Sequence, residues 1–221
     1  MDRKFDKSCT VCFSGHRAIP ESECFLLQKK IQKAVHCAYH NGYRVYICGG
    51  ARGFDTLAAL EVIRLRKTLG DIRLVIAVPC LSQADRWPEK DRIIYQSILY
   101  QADEKIVLSD FYYSGCMQNR NRFMVDSSSL CICYMTRFEG GTWYTVRYAI
   151  RNGLLLQNLA MPEETVLKER PWKYTYIYPS AQKNVSIARL FHFNQQMFRK
   201  MNTLQLSFVK LKQENLLRMN R

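Results

Sequence analysis

Arg44-Val45-Tyr46-Ile47-Cys48-Gly49-Gly50-Ala51-Arg52-Gly53-Phe54-Asp55 passes from a β-branched and aromatic run into a glycine-rich loop. The run Arg44–Cys48 predicts a buried strand. Beyond the loop, Leu57, Leu60, Ile63 and Leu65 recur at helical spacing, which predicts a helix over Thr56–Thr68. A strand that feeds a helix through glycines is the unit from which parallel sheets are built. The question for the rest of the chain is whether this unit repeats.

It repeats in both directions. Upstream, Cys9–Phe13 reads as a short buried strand broken by Ser14-Gly15-His16-Arg17. A helix follows from Glu21 to Asn41 on the spacing of Phe25, Leu26, Ile31, Ala34, Val35 and Ala38, with Gly42 as its stop. Downstream, Ile72–Val78 is an apolar strand closed by Pro79. Helix Asp91–Gln101, strand Lys105–Leu108, helix Met117–Asp126 and strand Leu130–Tyr134 come next. After a Gly-Gly turn, helix Thr142–Arg151 leads to strand Leu154–Leu159. Alternating elements with unbroken apolar strands predict an α/β fold, a parallel sheet covered on both faces by helices. Ligands in such sheets gather at the carboxyl ends of the strands. Those ends carry Ser14–Arg17, Gly49–Asp55, Pro79–Trp87, Ser109–Tyr113 and Arg137–Thr142.

Composition narrows the classes. Of 221 residues, 48% are hydrophobic and 24% charged, which excludes a largely disordered chain. No long stretch is both apolar and uncharged, so no membrane span is expected. Met1–Lys7 lacks the order of a signal peptide, and a cytoplasmic location is the expectation. Nine cysteines, several of them in apolar runs (Cys48, Cys80, Cys131, Cys133), read as reduced core thiols. Cys9 and Cys12 form a CxxC inside a strand, without the second pair that zinc requires. His36 and His40 are four apart on a helix but lack a third ligand. Neither a metal nor a cofactor is expected.

The formal net charge is +14, a field that favours anionic partners: nucleotides, nucleic acid or an acidic protein. Residues 162–221 hold eleven Lys/Arg against four Asp/Glu, the denser basic segment. The character of the chain changes there, so residues 1–161 are read as one domain and 162–221 as a connector and basic extension. Within the extension Ile187, Leu190, Asn194, Met197, Met201, Leu204, Phe208, Leu211 and Asn215 alternate by three and four. That is the seam of an amphipathic helix. It either folds back on its own domain or, over 187–215, joins a second copy or a partner.

Three segments carry chemistry. Gly49, Gly50, Ala51 and Gly53 allow backbone N–H groups to approach an anion at a helix N-terminus, and Asp55 is placed as the cap of that helix. Gly140, Gly141 and Thr142 form a second strand-to-helix loop of the same kind. In the third, Arg120 can grip a phosphate, and Asn121 and Asp126 can bond a base or ribose; Arg122 reads as surface charge. On an ideal helix Arg120, Phe123 and Met124 share a side from which Asn121 and Arg122 point away. Two glycine-rich loops on one sheet edge favour a phosphate-bearing ligand.

Ser14-Gly15-His16-Arg17, GGARGFD, Pro79-Cys80 with Trp87, Arg120-Asn121-x-x-Met124-Val125-Asp126 and GGTxxTVRYA occur in one order. That ordered set resembles the YpsA-like branch of the SLOG superfamily, relatives of DprA and of the Lonely Guy phosphoribohydrolases, over about residues 8–161. The resemblance implies a Rossmann-like fold and a pocket for a nucleotide or nucleotide-derived ligand. Ser14, Gly15, His16 and Arg17 would then stand around that ligand with the glycine loops, Arg120 and Asn121. The Lonely Guy enzymes carry a glutamate three residues after the threonine of their second glycine motif, where this chain has Thr145. The leading expectation is a ligand-binding module whose state is read out through assembly or a partner. The second is a nucleotide N-glycosidase with Asp126 or Asp55 as its carboxylate. The third is a nucleic-acid binder, or a module that docks on an acidic protein, through the basic tail, where Phe191, Phe193 and Phe198 are interleaved with Arg189, Arg199 and Lys200.

Overall fold

A computed structural model describes residues 5–160. Six strands form one sheet: β1 Thr10–Gly15, β2 Val45–Cys48, β3 Arg73–Val78, β4 Glu104–Val107, β5 Leu130–Tyr134 and β6 Leu155–Asn158. Five α-helices lie between them: α1 Glu21–His40, α2 Phe54–Leu69, α3 Glu89–Gln101, α4 Cys116–Asp126 and α5 Gly140–Arg151. All strand pairs are parallel, in the order β4-β3-β2-β1-β5-β6. This is the α/β parallel sheet flanked by helices that the alternation predicts, and the Rossmann-like fold that the resemblance implies. The proposed extension over 162–221 and its heptad seam lie outside the described residues.

Successive side chains on a strand point to opposite faces, and β1 shows the consequence. Val11 and Phe13 enter a core with Leu27, Ile31 and Val35 of α1, Ala58 and Val62 of α2 and Ile98 of α3. Cys12 enters the opposite core with Met124 and Val125 of α4 and Val146 and Ala149 of α5. Burial on both faces is why these strands are apolar without alternation. The buried thiols of Cys12, Cys48, Cys131 and Cys133 are free, as the apolar context predicted.

The topology sets the site. From β1 to β4 the chain walks one way across the sheet, with α1, α2 and α3 packed on one face. It then returns through α4 on the other face and places β5 on the far side of β1. Strand order reverses there, which leaves a crevice between the carboxyl ends of β1 and β5.

Three boundaries differ from the sequence reading. Cys9 ends a short 3-10 turn rather than opening β1, because Asp6 caps that turn through the Ser8 N–H. Helix α2 opens at Phe54, with Gly53 at its cap position, so Asp55 lies inside the first turn and is not the cap. Gly140 and Gly141 are the first turn of α5, not a turn ahead of it.

Candidate functional site

A cavity of about 850 Å³ opens at the crevice between β1 and β5. The end of β1 and the loop after it supply Ser14, Gly15, His16 and Arg17. The first glycine loop and α2 supply Ala51 and Asp55; α4 supplies Arg120 and Asn121; Gly140, Gly141 and Thr142 come from the start of α5. The topology thus brings together eleven residues that the sequence singled out: those four, those two, those two and those three.

The other four lie elsewhere. Asp126 is exposed at the last position of α4, where it accepts a hydrogen bond from the Tyr148 hydroxyl at 3.0 Å. Six residues along a helix separate it from Arg120 by about 9 Å of rise, at the end remote from the cavity. Gly49, Gly50 and Gly53 are not part of the wall. A Cβ on Gly49 would sit 1.8 Å from a guanidinium nitrogen of Arg120 and 2.8 Å from Asp55 Oδ2. On Gly50 it would meet the Tyr95 ring at 2.9 Å, and on Gly53 the backbone carbonyl of Arg17 at 2.3 Å. These glycines let chain pack against chain. Glycine 141 is different: an added Cβ would meet nothing within 4 Å, so no packing in the fold demands a glycine there.

Two buried charged groups form one wall. Arg120 is 4% exposed and Asp55 5% exposed. The Arg120 guanidinium donates to the Gly49 carbonyl and, through Nε, to Asn121 Oδ1 at 2.7 Å. Asp55 accepts from the Ala51 N–H at 3.2 Å. Burial raises the Asp55 carboxyl to about 6, against the pull of Arg120, of backbone N–H groups and of Arg17. Burial likewise draws the Arg120 guanidinium below its ordinary value, while Asp55 opposes that change. Asn121 and Arg120 therefore act together rather than pointing apart, since the asparagine turns back to meet the arginine. Arg122 is exposed, as read.

Asn121 Nδ2 donates to the Thr145 hydroxyl at 2.7 Å, and that hydroxyl donates to the Gly141 carbonyl at 2.9 Å. Thr145 is fully buried, so the residue at the glutamate position orders α4 against α5 and does not face the cavity. Helix α5 has Glu139 at its cap position with no side-chain cap, so its first N–H groups are left for a ligand or water. They join Arg17, Arg120 and Arg137 in a mainly positive wall, with Asp55 and Glu139 as its acidic members.

Phe13, Ala18, Met117, Gln118, Met124, Arg137, Glu139 and Tyr144 also line the cavity and were not named as ligand residues, although Met124 stood in the Arg120 motif and Arg137 and Glu139 in a strand-end segment. Met117, Arg120, Asn121 and Met124 follow i, i+3, i+4, i+7, so the helical spacing that puts Met124 on the Arg120 side also finds Met117. Arg137 and Glu139 lie at the carboxyl end of β5, where the general rule for such sheets places ligands.

The ordered motifs and this crevice have counterparts. A family model described as the YspA SLOG family (YpsA) matches residues 17–153. The chain belongs to the YpsA SLOG family. It is 24% identical over 126 residues to a UPF0398 protein of Bacillus velezensis, covering 56% of this chain and 69% of that one. It is 27% identical over 137 residues to a UPF0398 protein of Bacillus cereus, covering 61% of this chain and 73% of that one. Among solved structures it resembles DNA processing protein A (DprA) of Streptococcus pneumoniae, with a TM-score of 0.50 and 20% identity. That match covers 70% of this chain and 50% of the streptococcal one, and shows the shared fold. No helix among the described residues of this YpsA-family chain is long and apolar enough to cross a membrane.

Proposed function

We propose that the crevice binds a nucleotide or nucleotide-derived small molecule, with its phosphate against the start of α5 and Arg120 beside it. The observation that carries this reading is the open space at Gly141, beside a helix N-terminus without a side-chain cap. A glycine that no packing requires leaves room for an anion to approach backbone N–H groups. Buried Arg120, with guanidinium N–H groups beyond those given to Gly49 and Asn121, supplies charge-assisted donors. The family membership and the DprA-like fold agree with a nucleotide ligand.

The protein acts in this reading as a sensor: ligand occupancy is transmitted to assembly, through 187–215, or to an acidic or nucleic-acid partner through the basic tail. Thr145 favours binding over cleavage, because a buried hydroxyl with both of its bonds made replaces a carboxylate. The N-glycosidase alternative keeps one specific support, the Asp55 carboxyl in the cavity wall. With Asp126 outside the cavity, the carboxylates in its wall are Asp55, which the sequence singled out, and Glu139.

Calorimetry and thermal shift with AMP, cyclic nucleotides and ADP-ribose test the reading, with chromatography of the mixture afterwards. Binding of an unchanged nucleotide, lost in Gly141→Asp without loss of fold, is the expected result. Release of free base would establish the hydrolase. Salt-sensitive binding of single-stranded DNA that Gly141→Asp leaves intact would move the function to the basic surface. Light scattering with and without the bound nucleotide tests the coupling to assembly.

A further inference from the structure

His16 is bonded to both halves of the crevice. Its backbone carbonyl accepts the N–H of Phe54, the first residue of α2, at 3.1 Å. Its ring Nε2 accepts the N–H of Thr136, in the loop from β5 to α5, at 3.0 Å. Gly53 makes the first contact possible, since a Cβ there would lie 2.6 Å from the His16 carbonyl. His16 is 8% exposed, and its ring stands edge-on to Tyr134, with centroids 6.0 Å apart. A ring nitrogen that accepts an N–H carries no proton, so the proton of the neutral ring is on Nδ1. The imidazolium has two N–H groups and nothing with which to accept.

We infer that His16 is a positioning residue: as the Nδ1–H tautomer it clamps the loop that leads to Gly140 and Gly141 onto the loop that leads into α2, and protonation of its ring opens that clamp. The consequence for anion binding rests on the function proposed above. With the clamp open, the N-terminus of α5 is no longer held opposite Arg17 and Arg120, and the anion is released.

The groups around the ring set the sign. Burial and the charge of Arg137 both hold the imidazole below its ordinary value, favouring the neutral clamp. Glu139, on the same loop, is paired with Arg137 at 3.8 Å. Tyr134 of β5 donates a hydrogen bond from its hydroxyl to Glu23 of α1. Arg17, Arg120 and Asp55 line the same cavity. Asp55 also gains a proton on acidification, but that removes negative charge and strengthens anion binding. The charge of the imidazolium in the same cavity favours an anion as well, so a loss of affinity toward acid pH has the sign of the opened clamp and not of either added charge.

The test uses the full chain, labelled with nitrogen-15, and sulfate as a probe whose charge is constant over the range. From about pH 8 to about pH 5 the ring nitrogens of His16 and the amide of Thr136 are followed together. The expected result is an unprotonated Nε2 at the alkaline end and a Thr136 amide that moves and exchanges faster with the same midpoint as the ring. Sulfate affinity should fall by about tenfold per pH unit below that midpoint. It should not fall in His16→Gln, whose amide oxygen accepts the Thr136 N–H without titrating. A protonated Nε2 at alkaline pH, or a Thr136 amide indifferent to the ring, overturns the clamp. Sulfate binding that is flat with pH in the wild type overturns its link to the anion. If neither sulfate nor AMP binds at any pH, the ligand reading fails, and the Thr136 titration still decides the clamp.

Discussion

A methyl group added at Gly49 would sit 1.8 Å from an Arg120 nitrogen, whereas one at Gly141 would meet nothing within 4 Å. Gly49 precedes α2 and Gly141 lies in the first turn of α5, yet their sequence contexts look alike. Gly49→Ala is expected to displace Arg120 and destabilise the fold by about 1–3 kcal/mol in urea denaturation. Gly141→Ala should hold or raise stability by about 0.5–1 kcal/mol, because alanine suits the first turn of a helix, while weakening AMP binding in calorimetry. Asp55 gives a second prediction at this scale. Its carboxyl is raised to about 6 from the ordinary value of 3.8, so the folded state holds its proton more tightly than the unfolded one. Stability from this group is therefore present at acid pH and lost as pH rises through about 6. Asp55→Asn should remove that component: the stability of wild type minus variant should grow as pH falls from about 7 to about 4, by roughly 3 kcal/mol at most. A constant difference across that range would mean that Asp55 is not buried against Arg120.

At the scale of elements, the start of α5 is a helix end left open. Its cap residue Glu139 has an extended backbone, as a cap requires, but makes no side-chain bond to the first turn. A serine there would accept from one of those N–H groups. Glu139→Ser is expected to be about 1 kcal/mol more stable than Glu139→Ala in urea denaturation and to bind AMP less tightly than Glu139→Ala, since the hydroxyl competes for the same donors. Equal stability of the two variants would show that the N-terminus is already satisfied. Helix α4 shows how far sequence carries a site. Arg120 and Asn121 were legible as polar residues on an otherwise half-apolar helix. The bond from Asn121 across to Thr145 was not, because it depends on α5 lying beside α4. Asp126 shares the helix and the motif, yet one and a half turns carry it out of the cavity.

For the molecule as a whole, stability lies in the two-faced centre of the sheet. Ile132 of β5 is fully buried, and Ile132→Ala should cost about 2–5 kcal/mol. Ile93 of α3 is 59% exposed, and Ile93→Ala should stay within about 0.5 kcal/mol, both measured by chemical denaturation. The alternation of strands and helices, the burial of the strands and the parallel sheet were determined by the sequence alone. Those features follow from local spacing of apolar residues, which the chain carries whatever its neighbours are. Strand order was not legible, since nothing in Leu130–Tyr134 says that it pairs with Thr10–Gly15 rather than with Glu104–Val107. That choice creates the crevice and decides which of two similar sets of glycines lines it. The same pairing brings the Thr136 N–H to His16. Such contacts join residues more than a hundred positions apart, and only the packed fold brings them within hydrogen-bond reach.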